Sequence, residues 1–273
     1  PCGDAHDPSL VTLADMPTAL VTGATAGIGH EFACQLAERG HALVLVARDS
    51  ARLDQVATEL TSRYGIAVEV LVADLSDRAQ IALVADRVAD TSRPVDILVN
   101  NAGFGLRTPF LASEVADELG MLDVLCTAVL MLSHAAGRAM RERGHGQIIN
   151  VSSVASFVSM GSYSAAKAWV TTFSEGLAGE LAGTGVTVTA LCPGYTRTEF
   201  HERARMSVAG SPDLLWLQPQ ELVAEALRDA DRGRVLSVPG LQYKAMVGAL
   251  QVLPRAVVRA AATRVAPRPP KRR

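Results

Sequence analysis

Tyr163 and Lys167 stand four residues apart in the run Tyr163-Ser164-Ala165-Ala166-Lys167. On a helix that spacing puts a phenol and an ammonium on one face, within reach of a single site. A phenol titrates near 10 in water, so exchanging its proton near neutrality needs a positive charge close by, which Lys167 would supply. The pair alone is weakly specific, because Tyr and Lys at this interval are commonly surface neighbours. A second group adds weight. Thr22-Gly23-Ala24-Thr25-Ala26-Gly27-Ile28-Gly29 follows an apolar run and opens a helical pattern through Phe32, Leu36 and Ala37. Glycines there let backbone N–H groups approach a pyrophosphate closely, and the N-terminal end of the helix adds partial positive charge. A tight turn without a ligand is the plainer alternative for the motif taken by itself.

Nineteen residues beyond Gly29 the second apolar run ends in Ala47, Arg48 and Asp49. An acid at the end of that strand would bind the ribose diol of NAD, whereas a guanidinium offers fork-shaped, permanently charged donors to a 2′-phosphate. Arg48 therefore predicts NADP(H), preferred over NAD(H). The competing reading leaves Arg48 solvated and gives the ribose to Asp49, a residue that also suits the N-cap of the next helix.

The elements that must position these groups are seven short runs rich in Val, Ile, Leu and Ala: Thr18 to Thr22, Ala42 to Val46, Ala67 to Ala73, Asp96 to Asn100, Gln147 to Val151, Val186 to Cys192 and Val235 to Val238. Nearly continuous apolar runs separated by helix-length segments predict parallel strands covered on both faces, hence a doubly wound α/β sheet in a single domain. A β/α barrel is the rival, but it would want about eight strands. From Ser162, Ala166, Val170, Phe173, Leu177 and Leu181 form an apolar stripe at helical spacing, which predicts that Tyr163 and Lys167 lie off the packed side. Residues 1–15 read as a loose N-terminal extension, 16–240 as the dinucleotide-binding catalytic domain, and 241–273 as a helical segment with a basic tail. The stretch Phe200 to Gln220, with Met206, Leu214, Leu215 and Trp216, is placed where an apolar lid over substrate would serve; ordinary helix packing explains it equally well.

Composition narrows the function. The 273 residues are 49% hydrophobic and 20% charged, with a formal net charge of −2 and twelve aromatic residues, which excludes disorder as the main state and argues against nucleic acid as partner. Cys2, Cys34, Cys126 and Cys192 are dispersed, with no CxxC pair and no metal-ligand spacing, so neither zinc nor a disulfide framework is expected. No uninterrupted apolar run reaches the ~18 residues of a membrane span, and the N-terminus lacks the order of a signal peptide, so a cytoplasmic protein is expected. Residues 255–273 carry Arg255, Arg259, Arg264, Arg268, Lys271, Arg272 and Arg273 and no acid. They read as a solvated terminus or as a segment adsorbing weakly to an anionic membrane surface or acidic acyl carrier. His134, His145 and His201 have no evident partners and receive no role.

Taken together, TGATAGIG, Asn100-Asn101-Ala102-Gly103, Ser152-Ser153, YSAAK and Pro193-Gly194, in this order, resemble the short-chain dehydrogenase/reductase family over roughly residues 17 to 240. The resemblance implies a seven-stranded Rossmann sheet with Gly23, Thr25, Gly27, Ile28 and Gly29 at the pyrophosphate and Asp74 and Leu75 at the adenine. Asn101, Ala102 and Gly103 would lie beside the cofactor, and Pro193, Gly194, Thr196 and Thr198 near the nicotinamide. It implies that Ser153 holds the substrate carbonyl, Tyr163 protonates it, and Lys167 binds the nicotinamide ribose while lowering the phenol pKa. It further implies a homodimer or homotetramer joined through the long helix from about Ser113 to Met140 and the Tyr163 helix.

Two departures stand out. The family's usual Asn in the long helix, thought to hold a water that relays protons to the lysine, aligns with Leu125. Ser153 also precedes Tyr163 by ten residues, a shorter interval than is usual, which makes Ser152 a minor rival for the carbonyl. The expected activity is hydride transfer between NADP(H) and an apolar ketone or aldehyde, such as a 3-oxoacyl or steroid-like compound, or the corresponding alcohol. The alternatives are a dinucleotide-binding sensor or partner protein of the same fold, motivated by Leu125 and the short loop, and a membrane-surface scaffold.

Overall fold

β1 (Thr18–Thr22), β2 (Ala42–Ala47), β3 (Val68–Val72), β4 (Ile97–Asn100), β5 (Gly146–Val151), β6 (Val186–Leu191) and β7 (Leu236–Ser237) form one sheet. Its order is β3-β2-β1-β4-β5-β6-β7 and every pairing is parallel. The computed structural model describes residues 16–106, 108–197, 213–254 and 256–259. An open order with β3 and β7 at its edges removes the barrel alternative. All four residues of β4 and four of the five in β1 are buried, which is why these strands read as unbroken apolar runs.

Helices cover both faces. α1 (Gly27–Glu38) and α2 (Ser50–Tyr64) pack on one side with α7 (Pro219–Asp231), bringing Phe32, Leu36, Leu53, Leu60, Leu222 and Leu227 into one core. On the other side α3 (Arg78–Ala89), α5 (Ala128–Arg143) and the end of α6 (Gly161–Glu180) contribute Ile81, Val84, Leu132, Met140 and Leu181 to a second core. Connections turn in opposite directions on either side of β1. The sheet therefore opens a crevice at the carboxyl ends of β1 and β4, where ligands of such folds bind.

The long helix expected from about Ser113 to Met140 runs instead as α4 (Val115–Leu122), a π turn over Asp123–Thr127 and α5. Among the described residues this 29-residue stretch is the one helix long and apolar enough to cross a bilayer, with mean hydropathy 1.7 over its most apolar window. It serves here as a core helix, since Leu125, Ala128, Leu132, Ala136 and Met140 are buried inside the fold.

α6 corrects a second expectation. The predicted stripe is packed at Ala166, Val170 and Leu181, with Leu177 half-buried against the second core, but the buried side is wider than the stripe and also carries Ser164, Lys167, Thr171 and Ser174. Lys167 thus points into the fold. α8 (Leu241–Val252) follows β7 and seats Tyr243 and Val247 in a small core with Cys192 and Val238, against Val154 and Phe157. Residues 1–15, most of the expected lid and residues 260–273 of the basic tail lie outside the described residues; the described end of the lid stretch is a turn at Asp213–Leu215 and the start of α7.

Candidate active site

The glycine turn is shaped by close backbone approach. Gly23 and Gly27 take φ of 67° and 58°, a left-handed conformation that a side chain disfavours. A Cβ on Gly23 would come within 2.9 Å of Ala102 Cα, and one on Gly29 would collide with the Gly23 carbonyl and the Asn101 amide. α1 then begins at Gly27 with no side-chain cap and no acid in its first turn. Its leading N–H groups and positive dipole end are left to an anionic ligand. A cradle without side chains, at an uncapped helix start, fits a dinucleotide pyrophosphate.

Thr22 locks this turn to the end of β4. Its hydroxyl accepts N–H bonds from Asn101 (2.9 Å) and Ala102 (3.0 Å), while the Asn101 side chain donates to the carbonyls of Thr22 (2.9 Å) and Gly23 (3.3 Å). Sequence reasoning saw Thr22 only as the start of a motif. Its buried, β-branched position at a strand end is the signal that points to such a role.

At the ends of β2 and β3, Asp49 accepts the Arg52 N–H at 3.0 Å as the N-cap of α2, while Arg48 is largely exposed and 3.8 Å from the Asp74 carboxylate. Partial burial pushes the Asp74 pKa up, but two hydrogen bonds from Ser76 and the Arg48 charge outweigh it and leave the carboxyl below its usual range. Leu75 is buried beside it. The end of β2 thus carries an exposed guanidinium beside the Asp74 carboxylate.

Ser153, Tyr163 and Lys167 come together at the mouth of β5. Lys167 Nζ lies 5.8 Å from the Tyr163 ring centroid and donates to the Val151 carbonyl at 2.8 Å. Ser153 caps the short turn Val154–Phe157, accepting the Ala155 N–H at 3.1 Å, and its hydroxyl bonds the Tyr163 side chain. Burial pushes the phenol up to about 12, against the lowering effect of Ser153. Burial likewise brings Lys167 down to about 8, opposed by the Cys126 and Cys192 thiols. The phenol is thus a proton donor at neutral pH, and the lysine is poised near its own titration.

A buried polar ladder stands behind the three. The Ser152 hydroxyl donates to the Lys167 carbonyl at 2.8 Å and bonds Thr171 at 2.7 Å. One turn further along α6, Asn150 donates to Ser174 at 3.0 Å, and Asn100 donates to both Asn150 (2.8 Å) and Ser133 (3.1 Å). Ser152, 2% exposed, is therefore no rival for a substrate carbonyl: it faces the backbone of α6. The spacing of Ser164, Lys167, Thr171 and Ser174, four and three residues apart, was the available sign that α6 buries a polar side.

Leu125 sits in the π turn, 1% exposed, and packs with Met121 and Ala166 against Tyr163. A Cβ on Gly103 would lie 2.9 Å from Leu125 Cδ2 and 3.8 Å from Lys167 Nζ. On the Gly103 side the wall beside the lysine is therefore apolar. Across the crevice Pro193 is buried and Gly194 half-buried, and Thr196 is 3% exposed with its hydroxyl donating to the Gly194 carbonyl at 3.0 Å. Thr25 and Ile28 are half-buried in the glycine turn; Thr198 lies outside the described residues. No group of three metal-ligating side chains occurs among the described residues, and Cys34, Cys126 and Cys192 are free thiols.

Comparison with known proteins agrees with this geometry. The profile of the short chain dehydrogenase family matches residues 17–208. The chain is 36% identical over 188 residues to the 3-oxoacyl-[acyl-carrier-protein] reductase of Synechocystis, covering 67% of this chain and 76% of that protein. Among solved structures, a short-chain dehydrogenase from Sphingobium yanoikuyae in complex with NADPH superposes with a TM-score of 0.79 at 38% identity, over 86% of this chain and 94% of that one. The bulky-bulky ketone specific alcohol dehydrogenase of Comamonas testosteroni superposes with a TM-score of 0.75 at 32% identity, over 88% and 96%. The chain belongs to the short-chain dehydrogenase/reductase family and is a Rossmann-fold oxidoreductase working between keto and CH–OH groups.

Proposed function

We propose that the protein is an NADP(H)-dependent reductase of apolar ketones or aldehydes, with 3-oxoacyl or steroid-like compounds as the substrate class. The observation that carries this reading is the meeting of Ser153, Tyr163 and Lys167 at the carboxyl end of β5, across the crevice from the glycine turn. The bound dinucleotide supplies the hydride in reduction and accepts it in oxidation. As negative charge builds on the carbonyl oxygen, the Ser153 hydroxyl donates to it and Tyr163 Oη delivers the proton. Lys167 holds positive charge beside the phenol, with N–H groups beyond the one on Val151 available to the ribose.

The phosphorylated cofactor is supported by Arg48, exposed at the end of β2 with no acid in the preceding position, and by the commitment of Asp49 to its helix cap. An apolar substrate is supported by Phe104 and Leu106, half-buried in the same apolar cluster as Tyr163. Assembly into a homodimer or homotetramer is supported by the stacked, half-buried Trp169 and Phe173 of α6, 4.8 Å apart between ring centroids, and by exposed Leu130 on α5. The test is loss of NADPH absorbance across a panel of carbonyl compounds, repeated with NADH. Turnover of an apolar ketone with NADPH strongly preferred is expected. Turnover of none, or equal rates with the two cofactors, would overturn the assignment.

A further inference from the structure

Tyr243 is a residue the motifs do not include, and it touches three parts of the site at once. It lies on the buried side of α8, 3% exposed. Its hydroxyl accepts the Tyr195 N–H at 2.9 Å and donates to the Leu215 carbonyl at 2.7 Å. Its ring covers Gly194 so closely that any Cβ at that position would clash with the ring carbons. The same cluster packs Val154 and Phe157, the turn that begins at Ser153, against Val247 and Cys192.

The segment it pins is short and is held from several sides: the Val154 N–H donates to the Pro193 carbonyl at 3.0 Å and the Thr196 hydroxyl to the Gly194 carbonyl at 3.0 Å. Tyr195 and Arg197 exchange backbone bonds with Leu217, at 2.8 and 3.1 Å, around a single parallel bridge from Thr196 to Leu217. Arg197 pairs with Asp213 at 2.7 Å and lies over the Trp216 ring. Both of these latter contacts are on the exposed surface, where such pairs contribute little. The two part-buried bonds of the Tyr243 hydroxyl add the tie that joins this stretch to α8.

We propose that Tyr243 is a positioning residue for the nicotinamide end of the cofactor: its hydroxyl and ring fix Gly194 and Tyr195 before the dinucleotide binds, so that α8 belongs to the working site. The inference rests on the NADP(H) reading above and concerns one end of that ligand only. Adenosine 2′,5′-bisphosphate contains the adenine and the 2′-phosphate but no nicotinamide. It should be indifferent to Tyr243, whereas NADP⁺ should not.

The experiment is calorimetric binding of both compounds to wild type, Tyr243→Phe and Val247→Ala, with no carbonyl substrate present. Tyr243→Phe keeps the ring and removes the hydroxyl that bonds the Tyr195 N–H and the Leu215 carbonyl, so NADP⁺ is expected to bind about tenfold more weakly while the bisphosphate is unchanged. Val247→Ala loosens the same cluster but keeps both hydrogen bonds, and it is expected to preserve the ratio of the two affinities. Equal weakening of both ligands by Tyr243→Phe, or of neither, overturns the positioning role. Failure of wild type to bind either compound overturns the NADP(H) reading instead. Hydrogen exchange of ligand-free wild type gives a second check should the Phe variant melt too low: slow exchange of the Tyr195 amide is expected, and exchange at the rate of an open chain contradicts the proposal.

Discussion

The glycine turn after β1 and the polar ladder behind α6 solve the same problem, holding groups still at the end of a strand, by opposite means. In the turn, Gly23, Gly27 and Gly29 leave space, and the geometry depends on side chains that are absent. In the ladder, Ser152, Thr171, Asn150, Ser174, Asn100 and Ser133 fill space with hydrogen bonds, and the geometry depends on side chains that are present. The first should be broken by adding atoms and the second by removing them. A site assembled from both is vulnerable in two distinct ways.

The largest effect follows from adding bulk to the turn. Gly29→Val places branched carbon where the Gly23 carbonyl and Asn101 amide already stand. Dinucleotide binding should fall by more than about a hundredfold, with a lower melting temperature, read by calorimetry and thermal unfolding. Next is Arg48→Ala. Loss of a charge-assisted phosphate contact should cut the preference for NADPH over NADH by roughly ten- to a hundredfold in kcat/KM and leave the NADH rate nearly unchanged. An unaltered ratio would assign the 2′-phosphate elsewhere.

Removing atoms from the ladder gives a smaller effect of another kind. Ser152→Ala strips the Lys167 carbonyl and Thr171 hydroxyl of a partner inside the fold, which should cost about 1–3 kcal/mol in denaturant unfolding. Cofactor affinity should change little, because the glycine turn does not share these bonds. If Ser152→Ala weakens the cofactor as much as it weakens the fold, the two regions are not independent.

The smallest expected effect is a shift in pH dependence. Reduction needs Tyr163 protonated, which holds at all ordinary pH with its pKa near 12, and Lys167 charged. Burial has lowered the lysine to about 8, so positive charge is lost as pH rises through that value and the reduction rate should fall there. Leu125→Asn puts a dipole into the apolar wall beside Nζ, favours the charged form and should move the descending limb to higher pH by less than about one unit. Movement to lower pH would mean that the wall does not govern the lysine.

The contrast also explains what could be read before the structure. Glycines in a strand-turn-helix setting are conspicuous, because a requirement for no side chain leaves a visible residue type; the turn was legible for that reason, and the seven strands because cover on both faces makes them nearly continuous apolar runs. Tyr163, Lys167 and Ser153 were legible as members of a familiar order of motifs. The ladder was less so, because Ser and Thr on a helix look solvent-facing until tertiary packing buries them: the apolar stripe found Ala166, Val170 and Leu181 on the packed side but not the Ser164, Lys167, Thr171 and Ser174 buried beside them. Asp123–Thr127 gave no sequence sign of a π turn either. Tyr243, 80 residues beyond Tyr163, carries no local signal at all: its role arises only where α8 folds back over Gly194.

The central claim is that a half-buried phenol, a hydroxyl and an ammonium act as one proton-delivering unit beside the nicotinamide. Tyr163→Phe tests it most directly, with NADPH consumption followed under saturating cofactor on the best carbonyl substrate. The account predicts a fall in kcat of about a thousandfold with NADPH binding retained, and a variant turning over at the wild-type rate would contradict it.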